Sequence, residues 1–249
     1  MIRLKSTCRF FAILIKSLHL KKIFAIRTLQ EIKIENDYIC YMNYLEALNW
    51  RYSVKKFDRR KISSEKLNNI LEAGRLSVSS LGLQPYHLLV VENNETIQKL
   101  IPAFYNPSQI STCSHLIVLV SKTKINKEYV DNYFGHIINE RGVTLEQLSA
   151  FRNNINMFLE NYTQKELETW SEKQNYIVLG SLIMASAEEE IDTCPMEGFK
   201  AEILEEVLKI DKENEKVAVV LALGYRAEDD IFQNFKKVRK PTDKFIKFI

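Results

Sequence analysis

The chain has 249 residues, of which 46% are hydrophobic and 27% are charged, and its formal net charge is +3. A chain of this size and balance can bury a core as one compact domain without help from disulfides. The positive charge is concentrated at the start: eight basic against three acidic residues give residues 1–41 a charge of +5, which leaves −2 for residues 42–249. A weakly acidic body does not indicate nucleic-acid binding.

Residues 1–41 form a basic extension whose longest uninterrupted apolar stretch, residues 10–15, is six residues long. This stretch is too short for the core of a secretory signal and for a membrane span. A transit peptide or a membrane-surface helix is an alternative interpretation of the extension. We predict a disordered tail or an overextended start, with the domain beginning at Met42 and the protein located in the cytoplasm.

Neither a disulfide framework nor a metal site is indicated. The four cysteines are far apart and include no CxxC pair, so we interpret them as reduced thiols. The acidic run at residues 188–190 has no second set of ligands and is most simply a solvated helix face. His87 and His115 each begin an apolar run, where a structural role is expected.

The secondary structure after Met42 alternates between helical and extended segments. Ser63 and Ser64 can cap a helix whose apolar residues recur at helical spacing up to Gly74. Residues 87–91, 115–120 and 217–223 are apolar runs of strand length, typical of strands covered on both faces. Helices are therefore predicted on both sides of a central sheet.

A long helical stretch, residues 127–190, separates the second of these strands from the third. It exceeds a simple crossover, so its helices are expected to pack together or against a second subunit. The chain ends with four apolar residues among its last five, residues 245–249, which also need burial. A terminal arm laid on a partner subunit would bury them.

Two basic clusters could hold a phosphate. The sequence has neither GxGxxG nor GxxxxGK[ST], which argues against a Rossmann site or a P-loop. Alternate residues of an extended segment share a face, so Arg51, Ser53 and Lys55 can converge on one ligand, and so can Lys237 and Arg239. Charge-assisted hydrogen bonds from such groups suit a phosphomonoester dianion. By spacing alone, a solvated surface remains the alternative for each cluster.

A third segment, CPMEGF at residues 194–199, follows a change from apolar to polar sequence. A glycine-containing turn can present consecutive backbone N–H groups to a ligand. An ordinary turn before the amphipathic helix AEILEEVL is the alternative.

Five motifs in this order resemble the nitroreductase family, and the resemblance covers residues 42–249. RYSVKKF (51–57) is similar to the family's R-x-S-x-(K/R)-x-F signature, and SSLGLQPYH (79–87) to its S-S-x-x-x-Q-P-(W/Y)-x loop. NPSQ (106–109) follows. PMEGF (195–199) then matches the family's P-x-E-G-F turn, and KVRKP (237–241) matches its K-x-R-x-P segment.

The resemblance implies an α+β fold with a mixed central sheet flanked by helices, and an intertwined homodimer with FMN at the subunit interface. The residues that would bind FMN fall into groups with different roles. The resemblance assigns the phosphate to Arg51, Ser53, Lys237 and Arg239; the pyrimidine edge to Lys55 and Asn106; N5 and O4 to the backbone of Glu197 and Gly198; and a contribution from the partner subunit to Ser79, Ser80 and Gln174. Tyr52 and Gln109 complete the predicted cofactor set.

The implied activity is hydride transfer from NADH or NADPH to nitroaromatics, quinones or dihydropteridines by a ping-pong mechanism. In such a site the flavin carries the chemistry, so no side-chain acid or base is expected, and Lys55 would stabilise negative charge on the flavin. Leu81 and Phe158 would line the substrate pocket. Family members often have a second lysine at the position of Gln109. A flavin-dependent dehalogenase, a flavin-destroying enzyme and a flavin-binding redox module without turnover remain alternatives.

Overall fold

The computed structural model describes residues 43–249. The predictions for the basic extension and for the boundary at Met42 lie outside these residues and stay predictions. The described residues form nine α-helices and four strands, with bounds as follows: α1 Tyr44–Trp50, α2 Ser64–Arg75, β1 Tyr86–Val91, α3 Asn94–Leu100, α4 Pro107–Thr112, β2 His115–Lys122, α5 Lys127–Arg141, α6 Ser149–Glu160, α7 Gln164–Glu188, β3 Asp192–Met196, α8 Ala201–Leu208, β4 Glu215–Gly224 and α9 Thr242–Phe245.

The strands form one sheet in the order β1-β2-β4-β3, and every neighbouring pair is antiparallel. Among the described residues, parallel pairing is limited to an isolated bridge between Ser53 and Thr193. The mixed character predicted for the sheet therefore rests on that single bridge. The three predicted strands correspond to β1, β2 and β4.

The sequence does not predict the fourth strand, β3, because residues 194–199 have the pattern of a turn. Cys194 and Pro195 pair with Ala222 and Leu221 of β4 in the structure. Pro195 is tolerated because β3 is an edge strand, where a missing backbone N–H leaves no ladder bond unmade. The turn is therefore shorter than predicted and begins only after Met196.

Both faces of the sheet are covered, as predicted. Even-numbered residues of β2 such as Leu116 and Val118 pack in a cluster with Leu204 of α8. Odd-numbered residues such as Ile117 pack with Leu182 of α7 on the other face. This alternation follows from the two-residue period of a strand.

The predicted helix at residue 64 is confirmed, and the Ser63 side chain caps it by accepting the N–H of Lys66. Gly74 serves close packing: a Cβ atom there would lie 2.8 Å from Leu182 Cδ2. The helix α2 can therefore lie directly against α7.

The long helical stretch forms α5, α6 and α7, and these helices pack together. Their shared cluster includes Phe134 of α5, Ile155 of α6 and Trp170 of α7, together with Leu83 from the loop before β1. Within residues 43–249, no helix combines the length and the apolar character needed to cross a membrane.

Candidate functional site

All four predicted phosphate ligands line one cavity. Arg51 follows α1 directly, and the irregular segment after β4 brings Lys237 and Arg239 to the same place. With Ser53, they line a cavity of about 350 Å³. Its other lining residues are Asn49, Trp50, Tyr52, Lys55, Arg226, Phe232, Gln233, Phe235 and Lys236. The two basic clusters, far apart in sequence, thus form one site.

The electrostatics of this cavity favour an anion. Burial, followed by repulsion from Arg239, lowers the pKa of Arg51. Burial, followed by repulsion from Arg51 and Arg239, lowers the pKa of Lys237. Within the described part of the chain, none of the three cations forms a salt bridge. Three neighbouring positive charges without a counterion are the environment that a dianion would stabilise.

Hydrogen-bonding capacity points the same way. Arg51 Nη2 donates to Ser53 Oγ at 3.2 Å, whereas Arg51 Nε is buried and has no partner among the described residues. A buried guanidinium N–H without an acceptor is costly unless a ligand supplies one. The Lys237 ammonium donates to the carbonyl oxygens of Leu48 and Arg51, which fixes it at the end of α1.

A second cavity, of about 310 Å³, contains four further predicted ligands: Asn106, Gln109, Glu197 and Gly198. Lys55 borders this cavity as well as the first. The remaining lining residues are Phe104, Tyr105, Cys194, Pro195 and Met196. The predicted phosphate site and the predicted flavin site are therefore neighbours that share one lysine.

Gln109 and Cys194 form a contact in this second cavity that the sequence did not indicate. Gln109 Nε2 donates to Cys194 Sγ at 2.8 Å, and Lys55 Nζ lies 4.0 Å from the same sulfur. Burial raises the pKa of Cys194, so its thiol is neutral near pH 7. Asn106 caps α4 through a hydrogen bond from Ser108 N to its side-chain oxygen, at 3.2 Å.

The Asp230 carboxylate accepts several hydrogen bonds from the 52–56 segment. Its Oδ2 accepts the Tyr52 hydroxyl at 3.1 Å, Lys55 N at 2.8 Å and Lys56 N at 3.3 Å. Its Oδ1 accepts Phe232 N at 3.1 Å, and Asp230 is only 3% exposed. Asp230 lies in a short acidic run, so no sequence pattern distinguishes it from a solvated residue.

A second support involves Asp192 and Arg226. Arg226 Nη2 and Nε contact Asp192 Oδ1 at 2.6 and 3.0 Å, and Arg226 N donates to Asp192 Oδ2 at 2.8 Å. The guanidinium also lies over the rings of Trp50 and Tyr52, 4.4 and 4.8 Å from their centroids. Two aromatic residues at the cavity are thereby packed against one partly buried ion pair.

The other predicted residues do not line either cavity within one chain. Ser80 N donates to Gln174 Oε1 at 2.8 Å, and Gln174 is only 4% exposed. Leu81 and Phe158 pack against the cluster shared by α5, α6 and α7. The roles predicted for Ser79, Ser80, Leu81, Phe158 and Gln174 therefore stay predictions.

Comparison with known proteins identifies the family. A model described as the nitroreductase family matches residues 48–225. A Staphylococcus haemolyticus protein is 34% identical over 218 residues, which cover 82% of this chain and 96% of the relative. A Bacillus subtilis protein is 34% identical over 199 residues, which cover 74% and 89%. Both relatives are provisionally named NAD(P)H nitroreductases.

Solved structures have the same fold. A Staphylococcus epidermidis protein, provisionally titled an NAD(P)H:FMN oxidoreductase, matches with a TM-score of 0.74 at 23% identity, over 83% of this chain and 96% of that one. An Exiguobacterium sibiricum protein, provisionally titled a nitroreductase in complex with FMN, matches with a TM-score of 0.73 at 22% identity, over 83% and 97%. The predicted α+β fold is confirmed, and the chain belongs to the nitroreductase family.

Proposed function

We propose that this protein is an FMN-dependent oxidoreductase that transfers hydride from NADH or NADPH to small electron-poor acceptors. One observation carries the proposal: Arg51, Lys237 and Arg239 line one cavity, and none of them has a salt-bridge partner among the described residues. The second cavity lies beside the first, because Lys55 lines both. The NAD(P)H nitroreductase names of the relatives and the FMN complex of a structural neighbour support the same conclusion.

The residues present fit FMN on chemical grounds. The buried, unpartnered Arg51 Nε and the three cations suit a phosphate dianion, which offers several acceptor oxygens. The second cavity is lined both by polar residues such as Lys55 and Asn106 and by apolar residues such as Phe104 and Met196. A planar ring system with polar edges matches such a lining.

In the proposed mechanism, FMN supplies the hydride chemistry and the chain binds and orients it. Arg51, Lys237 and Arg239 bind the phosphate, while Asp230 holds the backbone of Lys55 at the boundary of the two cavities. The Lys55 ammonium would stabilise negative charge on the bound flavin, because a fixed cation needs no reorganisation when charge develops. The nicotinamide and the acceptor occupy one pocket in turn, which gives ping-pong kinetics.

The active unit in this proposal is a homodimer, and the exposed apolar residues of a single chain support it. Phe245 is 76% exposed and Phe248 is 92% exposed at the chain end. Leu45 of α1 is 67% exposed and Ile177 of α7 is 41% exposed. Where exposed apolar residues form a contiguous patch, the patch usually marks a surface that a partner covers. The partner subunit would also bring the 79–85 region to the flavin.

The proposal is tested with the purified full-length chain. Flavin released by heat should be FMN in about equimolar amount, and NADH or NADPH oxidation should accelerate when a quinone or a nitroaromatic compound is added. Parallel lines in double-reciprocal plots would support ping-pong order. A chain that binds FMN but oxidises neither nucleotide would be a flavin-binding module, and one that binds no FMN would overturn the proposal.

Replacing Lys55 with methionine should slow hydride transfer to FMN about tenfold, because a preorganised charge near the developing anion is lost in a partly solvated site. The Kd of FMN should change less, since the phosphate contacts remain. Stopped-flow measurement of the reductive half-reaction gives the first quantity and fluorescence titration the second. Lys56→Met is the matched control, because Lys56 is exposed and pairs with Asp229. Equal reduction rates in the Lys55→Met variant and the wild type would rule out this role for Lys55.

A further inference from the structure

The loop at residues 79–85, which precedes β1, has an unusual backbone. Leu81, Gly82 and Gln84 have φ angles of 59°, 69° and 44°, all in the left-handed region. Only glycine adopts this region without a steric penalty, so Leu81 and Gln84 are strained. Such a backbone persists only where neighbouring groups hold it.

Two tyrosines one helical turn apart on α5 hold this loop, and we refer to Tyr129 and Tyr133 as the tyrosine clamp. The Tyr133 hydroxyl donates to the Leu81 carbonyl at 3.0 Å. The Tyr129 hydroxyl lies 2.8 Å from the carbonyl oxygens of both Leu83 and Gln84, which share its hydrogen bond. Residues four apart on a helix point the same way, so one face of α5 reaches three loop carbonyls.

The loop and the tyrosine clamp are closely packed at Gly82. A Cβ atom on Gly82 would lie 2.7 Å from the Tyr133 hydroxyl oxygen and would displace that hydroxyl, and the φ angle of 69° independently favours glycine. Leu83 beside it is 2% exposed and anchors the loop in the cluster shared by α5, α6 and α7. Burial raises the pKa of Tyr129 to about 12, so its hydroxyl remains a donor at physiological pH.

The helix α7 forms hydrogen bonds both to this loop and to the turn at Glu197 of the same chain. Ser80 N donates to Gln174 Oε1 at 2.8 Å, and two residues further along the same helix the Tyr176 hydroxyl donates to Glu197 Oε1 at 2.8 Å. Glu197 lines the second cavity. One helix thus fixes both the loop and the turn that borders the cavity.

We propose that Tyr129 and Tyr133 are positioning residues that set the shape of the acceptor pocket by holding the 79–85 loop. This inference rests on the proposed function, in which each subunit brings this loop to the flavin of its partner, where Leu81 lines the pocket for nicotinamide and acceptor. Neither tyrosine needs to touch the substrate. Without the clamp, the strained residues relax and the pocket loses its fit to small planar acceptors.

The test compares the wild-type holoenzyme with Tyr133→Phe and with the double variant Tyr129→Phe/Tyr133→Phe. Phenylalanine keeps the packing of each ring and removes only the hydroxyl. Tyr225→Phe is the matched control, because the Tyr225 ring lies under Arg60, 4.3 Å from its guanidinium carbon, and contacts no loop residue through its hydroxyl. Amide exchange of residues 80–84 and steady-state kinetics with a quinone and a nitroaromatic compound are measured on each protein.

In the double variant, amide exchange of the loop should be about tenfold faster, as expected for the loss of two hydroxyl donors. The KM of the acceptors should rise about three- to tenfold with kcat within twofold, which is the signature of lost positioning. General destabilisation would instead lower the amount of active enzyme, and therefore kcat, at constant KM. The control should match the wild type in both measurements.

Unchanged exchange in the double variant would overturn the clamp. Faster exchange with unchanged KM would overturn its role in the acceptor pocket. Absence of turnover in the wild type would overturn the proposed function and the pocket role together, and the exchange rates would then decide only whether the clamp exists. The two failures are therefore distinguishable.

Discussion

Replacing Lys237 and Arg239 together with alanine should yield folded but largely colourless protein, with a Kd for FMN at least about 100-fold higher. Hydrogen bonds to charged groups contribute about 1.5–3 kcal/mol each, so the loss of two corresponds to roughly 10²- to 10⁴-fold in affinity. The absorbance ratio at 450 and 280 nm of the purified protein and a fluorescence titration of the apoprotein measure this effect.

The stability of the apoprotein should change little in the same variant, by about 1 kcal/mol or less, because two effects oppose each other. Removing the Lys237 ammonium deprives the carbonyl oxygens of Leu48 and Arg51 of a hydrogen-bond donor. Removing Arg239 relieves the repulsion that, after burial, lowers the pKa of Arg51. Lys240→Ala/Lys247→Ala is the matched control, since it removes the same charge from exposed residues that do not line the cavity. Full retention of FMN by the Lys237→Ala/Arg239→Ala variant would contradict the phosphate assignment.

Replacing Asp230 with alanine should lower the free energy of unfolding of the apoprotein by about 3 kcal/mol. Four donors would lose their acceptor, and each buried donor without a partner costs about 1–3 kcal/mol, although water will reach some of them. Asp230→Asn keeps one acceptor oxygen and should lose only about 1–2 kcal/mol. Urea denaturation followed by fluorescence measures both changes.

Asp229→Ala is the control for this series, because Asp229 is the neighbouring acid but is exposed and pairs only with Lys56. Surface ion pairs contribute about 0–1 kcal/mol, so this variant should stay close to the wild type. A loss of less than about 1 kcal/mol in Asp230→Ala would show that Asp230 does not anchor the 52–56 segment.

Much of the fold follows from local sequence patterns. The apolar runs that became β1, β2 and β4 are long enough to be read directly, and the Ser63 cap marks the start of α2. The strand β3 could not be predicted because it is five residues long, contains Pro195 and is defined only by its pairing with β4. Its partner is distant in sequence, so no local pattern reveals it.

The candidate site was predictable to a similar degree. The alternation of Arg51, Ser53 and Lys55 predicts that they share one face, and all three line one cavity in the structure. The supporting roles of Asp230 and Cys194 could not be predicted, because a single buried acid or thiol is recognised only by its contacts. Both contact Lys55, which lies 175 residues before Asp230 and 139 residues before Cys194. Sequence motifs point to the residues that line the two cavities, whereas the buried residues that support them are recognised only from the fold.

The proposed phosphate site also determines when, during synthesis, the protein can first bind its cofactor. Lys237 donates to carbonyl oxygens 186 and 189 residues earlier, and Asp230 accepts from the backbone of Lys55, 175 residues earlier. A nascent chain that has released α1 and the whole sheet from the ribosome therefore still has only half of the anion site. In this assignment, FMN gains its full set of phosphate ligands only after residues 237–239 have emerged.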